Sequence, residues 1–111
     1  MNNNLPQLQD LRKELKLPIK SIKGSEVIIK DGILAGDMSF VFGDSTTNDI
    51  ERTLRALSKM MVKWNLTDEA GKALPINLEN IGKLDVMDIT ELIDATSFGD
   101  VDKKKEEILT K

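Results

Sequence analysis

The carboxylates are the side chains in this sequence best placed to do chemistry. Asp68 and Glu69 are adjacent, and Asp85, Asp88 and Glu91 recur at helical spacing. Such groups share protons or hold a hard cation when burial or enforced closeness drives their pKa values apart. Nothing around them in the sequence supplies either condition, so solvated acidic faces are their ordinary use. A calcium loop starting at Asp68 needs oxygen ligands at its third and fifth positions and glycine at its sixth. Ala70 and Lys72 occupy the first two of these, and Gly71 comes too early. Gly24, Gly32, Gly36 and Gly43 are too widely spaced to cradle a phosphate, and no Gly-Lys-Ser/Thr follows them. The chain has no His, Cys or Tyr. That removes the usual general base, the thiolate nucleophile and the commonest metal ligand. A Ser–Lys pair remains compatible with the composition, but no short arrangement recommends one. The expectation is a protein that is not an enzyme and uses no cofactor or metal.

Cations form the second pattern. Ile50, Leu54, Leu57, Met61 and Trp64 step by four, three, four and three, which is one apolar stripe on a helix. Arg52, Arg55, Lys59 and Lys63 lie opposite it at about 100° per residue. They read as a contact surface for an acidic partner or, more commonly, as a solvated face. Trp64 ends the stripe as an anchor for a partner or as the largest side chain of the core. Met60 and Met61 beside it add adaptable apolar surface. Arg52, Arg55, Lys59, Met60, Lys63 and Trp64 are therefore the candidate partner-binding residues.

The elements that must position these residues follow from periodicity. Leu8, Leu11 and Leu15 recur at helical spacing between Pro6 and Pro18, so residues 1–22 read as a flexible or weakly helical arm. β-branched residues crowd both sides of Asp31-Gly32, a pair suited to a type I′ turn, which predicts a β-hairpin there. Met38 to Phe42 is a further β-prone run. The helix from Thr47 to Lys63 has Ser45, Thr46, Thr47 and Asn48 as possible caps, and Asn48 with Glu51 has the polarity of a capping box. Residues 64–75 read as a tight reversal in which Asp68 bonds forward and Gly71 turns left-handed, with short strands on either side. Asn77 caps a short helix to Leu84, with Ile76 and Ile81 as a hydrophobic staple, and Asp85 caps another from Val86 to Thr96. In that last helix Val86, Ile89, Ile93 and Thr96 share a face. The fold class is α+β: a mainly helical small domain with an N-terminal β-hairpin and a short second hairpin. One domain is expected over residues 23–98, followed by a polar tail over 99–111.

The chain has 111 residues, a length that suits one core. Its net charge of −3 is uneven. Residues 10–30 carry six basic and three acidic groups, whereas residues 31–102 carry six basic and fourteen acidic. An acidic body argues against a nucleic-acid partner. No apolar run approaches the roughly 20 residues of a membrane helix, and Met1 to Pro6 does not resemble an export signal. With no Cys, a reducing cytoplasm fits.

Two segments resemble tail assembly chaperones of tailed phages and prophages. The first runs from Trp64-Asn65 through Asp68-Glu69-Ala70-Gly71-Lys72-Ala73-Leu74-Pro75 to Glu79-Asn80-Ile81 and Leu84. The second is Ser25 and Val27 through Asp31 to Gly36-Asp37. Ala70 and Ala73 depart from the family pattern, which more often has an acid and a proline there. The resemblance implies a non-enzymatic protein of the bacterial host cytoplasm that coats a tape measure protein, or another tail protein, until the tail tube forms around it. Many proteins of that family are made in a short form and a C-terminally extended form by frameshifting; if this chain is the short form, the tail after Gly99 is where an extension would continue. Self-association is compatible with this role. The alternative is a structural virion or head–tail component that stays in the particle.

Overall fold

The computed structural model of the chain describes residues 5–43 and 48–98. Ser45, Thr46 and Thr47, offered above as caps, and the tail over 99–111 lie outside the described residues.

Three antiparallel strands form one sheet in the order β1 (Lys13–Leu17), β2 (Val27–Asp31), β3 (Met61–Trp64). β1 corrects the helical reading of the arm. Leu15 and Leu17 alternate with Glu14 and Lys16 and lie opposite Ile29 and Val27. Leu8 and Leu11 are left exposed. A lone helix bounded by two prolines is too short to be stable in water, whereas β2 offers a partner whose Val27 and Ile29 are fully buried.

The N-terminal hairpin exists, but residues 18–26 join its strands. Among the described residues, Asp31 included, no non-glycine residue has positive φ, so Asp31-Gly32 makes no type I′ turn. Asp31 instead accepts bonds from the Ser97 amide and hydroxyl, at 2.7 and 2.9 Å, and Ile33 leaves the sheet. After a 3₁₀ turn at Ala35–Asp37, Met38–Phe42 forms helix α1 where a strand was expected. A short apolar run fits either state. Here the helical one buries Val41 and sets Phe42 beside Phe98, with ring centroids 5.7 Å apart.

Helix α2 (Asp49–Met60) starts where expected, with the Asn48 side chain accepting from the Glu51 amide at 2.8 Å. It ends earlier than expected, because Met61 turns extended and leads straight into β3. The β2–β3 register shifts between Ile28 and Ile29, which leaves Val62 as an extra residue in β3. Met61 and Trp64 therefore face the same side although they are three apart. That bulge imitated a helical turn in the sequence.

The second hairpin follows as expected. Thr67 bridges Ala73, and Asp68 Oδ1 accepts from the Ala70 and Lys72 amides at 2.9 Å each. Gly71 takes φ +82°, a region other residues rarely enter. Asn77 caps α3 (Leu78–Ile81) and Asp85 caps α4 (Val86–Asp94). The α4 face differs by one residue: Leu92 is buried with Ile89 and Ile93, and Val86 is exposed. The core gathers Ile19, Val27, Ile29, Val41, Leu57, Met60, Ile81 and Ile89 between sheet and helices. No helix among the described residues is long and apolar enough to cross a membrane.

Asn65 locks the long connection of the first hairpin to the end of β3. Its Oδ1 accepts from the Glu26 amide at 2.8 Å, and its Nδ2 donates to the Gly24 carbonyl at 3.0 Å. Asn65→Ala should destabilise by about 1–2 kcal/mol, read as a lower urea midpoint at unchanged slope. Asn65→Asp, which keeps the acceptor and loses the donor, should lose less.

Candidate partner-binding surface

Helix α1 and the opening of its neighbours make an apolar strip edged by cations. Gly32, Ile33, Met38, Phe42, Ser97 and Phe98 line an open groove of about 200 Å³. Leu34 and Met38 are exposed, Met38 at 44%. Met38 and Phe42 stand four apart on α1, the spacing that stacks two side chains on one helical face.

The basic residues of α2 pack on the aromatic rings of α1: Arg52 on Phe42, which lines the groove, and Arg55 and Lys59 on Phe40, which does not. The Arg55 guanidinium lies 5.3 Å from the Phe40 ring centre, Lys59 Nζ lies 4.8 Å from it, and the Arg52 guanidinium lies 5.6 Å from the Phe42 ring centre. These are cation–π distances. Arg55 also donates to the Phe40 carbonyl at 3.0 Å, tying α2 to α1. Acidic neighbours add to the same work: Asp49 pairs with Arg52, Glu51 with Arg55 and Asp37 with Lys59. Arg52 and Arg55 therefore form no freely solvated face. Their side chains are only 21% exposed.

The candidate residues separate into three places. Arg52, Arg55 and Lys59 share the side of α2 that packs on α1, Arg52 against the groove residue Phe42 and the other two against Phe40. Met60, 1% exposed, belongs to the core. Lys63 and Trp64 sit on β3, where the helical stripe was expected to carry them. Lys63 is exposed on the outer face of the sheet, while half-buried Trp64 donates from Nε1 to the Leu74 carbonyl at 2.7 Å. Sequence reasoning missed Ile33, Leu34, Met38, Phe42 and Phe98. The signal was present in the Met38–Phe42 spacing, hidden by reading the run as a strand.

The carboxylates are taken up by the fold. Asp68 closes its turn and Asp85 caps α4. Asp88, nearly buried, accepts from the Ser21 amide at 3.3 Å and from the Ser21 hydroxyl. Glu91 pairs with Lys20 at 3.4 Å. Among the described residues, no acidic side chains cluster in a way that could hold a metal ion.

Arg12 straps the base of the arm to the edge of the groove. It binds Asp10 through Nε and Nη2 and donates from Nη1 to the Gly32 carbonyl at 2.9 Å. Hydrogen bonds from Arg12, aided by its charge and that of Lys30, hold the Asp10 carboxyl well below the usual carboxylate range. A depressed folded pKa means that the contribution is present at neutral pH and is lost as acid passes below the ordinary value of about 4. Protection factors of the amides near residues 10–13, each referred to the intrinsic exchange rate at that pH, should therefore fall on acidification below about pH 4. Asp10→Asn should flatten that dependence.

No protein-family model matches the chain, and no curated protein or solved structure matches it either.

Proposed function

We propose that the chain is a non-enzymatic tail assembly chaperone that holds a tape-measure-like helical protein in the bacterial host cytoplasm. The observation that carries this reading is the open apolar groove at α1, lined by Ile33, Met38, Phe42 and Phe98, with the Arg52 guanidinium against the Phe42 ring. An amphipathic helix with an acidic flank fits such a site, its apolar side chains entering between Ile33, Met38 and Phe98. The residues that carry the family resemblance support this division of labour. Trp64, Asn65, Asp68 and Asn80 each spend their polar atoms on backbone groups, Asn80 through a 2.9 Å bond to the Pro75 carbonyl. That segment is a scaffold, which leaves binding to the surface it supports.

Co-expression with a tape measure protein from a tailed-phage tail module tests the reading. The account expects the client to become soluble and to co-purify with the chain. A client that stays insoluble and unbound would overturn it. So would recovery of the chain in finished particles at structural stoichiometry.

A further inference from the structure

Among the described residues, no strand pairs with the outer edge of β1 in the sheet order β1-β2-β3. An open strand edge is a template for another strand. We infer that this edge joins a second copy of the chain, with two β1 strands pairing antiparallel about Leu15.

Charge order in the strand selects both occupant and register. Around a twofold axis at Leu15, Glu14 of each copy lies opposite Lys16 of the other, and Leu15 meets Leu15. Both charged residues are exposed on the outer face of the sheet, so each crossing gives an opposite-charge pair at cross-strand contact distance. Centring on Glu14 sets Glu14 against itself, and centring on Lys16 sets Lys16 against itself. A shift by one residue sets Leu15 against Glu14 and puts the two helical layers on opposite faces. The other open edge, β3, has no such order, because its central pair would be Val62 against Lys63.

A second feature agrees with the same register. Lys13 of one copy lies opposite Leu17 of the other, so the arm preceding Lys13 enters beside Leu17 and Pro18. There Leu17, Pro18, Leu92 and Ala95 line an open groove of about 370 Å³, together with Asp94 and the Lys20–Glu91 ion pair. The arm brings Leu11, which is 81% exposed in the single chain. Each copy supplies an exposed leucine and a place to cover it, as a twofold interface requires. The lysine stems can lie along this apolar surface with their charges in water.

This inference does not depend on the chaperone reading, since the dimer forms or fails to form in the purified chain without client. Sedimentation equilibrium of the full chain, from low to high micromolar concentration, is the test. The wild type should dimerise. Glu14→Lys alone or Lys16→Glu alone should weaken the dimer by about tenfold or more, because each turns two attractive pairs into repulsive ones. An equal mixture of these two variants restores opposite charges at both crossings and should dimerise, as should the double variant Glu14→Lys/Lys16→Glu. Far-UV circular dichroism confirms that the variants remain folded. A wild type that stays monomeric overturns the inference. A dimer indifferent to the single substitutions, or one that neither the mixture nor the double variant restores, also overturns it.

Discussion

Replacing Trp64 with alanine is expected to destabilise the protein by about 3 kcal/mol, the largest effect of any exposed or half-buried residue in the chain. The indole packs against the core and donates from Nε1 to the Leu74 carbonyl at 2.7 Å, so it joins β3 to the far arm of the second hairpin. Alanine removes both the packing and the bond. Trp64→Phe separates the two contributions, because it keeps most of the apolar area and loses only the donor. The Leu74 carbonyl borders an open groove with Ile22, Asn65 and Leu84, so water can replace the lost partner. The cost of Trp64→Phe should accordingly stay near 1 kcal/mol. Urea unfolding followed by circular dichroism measures both variants. Equal losses for the two would mean that the hydrogen bond, not the packing, holds the hairpin.

Met38→Asp is expected to have the largest effect on client binding. Met38 reaches into the α1 groove yet is 44% exposed, so its loss should change stability by only about 0.5 kcal/mol. An aspartate there puts a desolvated charge against the client's apolar face. Affinity should fall by roughly a hundredfold, the loss typical of a central apolar anchor. Lys63→Ala serves as the internal comparison, since Lys63 sits on the sheet face away from the groove and should bind as the wild type does. If Lys63→Ala weakened binding and Met38→Asp did not, the contact surface would lie on the sheet.

The residues that were legible in the sequence are those whose roles are local. Asn48, Asn77 and Asp85 announce helix starts because a cap bonds within two or three residues of itself, and all three do so here. Asp68 and Gly71 fix their turn in the same way. The mistakes fall where distant partners decide. Leu15 follows both a period of about 3.6 with Leu8 and Leu11 and a period of two with Leu17. Only the presence of β2 selects the second. Met61 and Trp64 are three apart on one face because of a bulge, a feature no local propensity encodes.

The same distinction explains the candidate partner-binding residues. Helical geometry correctly gathered Arg52, Arg55 and Lys59. It could not reveal that Phe40 and Phe42 would stack beneath them, because that needed α1 to be a helix. Asp31 is a further case. Its neighbour glycine suggested a turn, while its actual partner, Ser97, lies sixty-six residues away.

Hydrogen exchange on the purified complex of this chain with the tape measure protein is the most direct test of the central claim. The account predicts added protection over Ile33–Phe42 and around Phe98 when the client binds, with the Asp68–Lys72 turn unchanged. Protection confined to that turn or to the outer face of the sheet, or the absence of any stable complex, would contradict it.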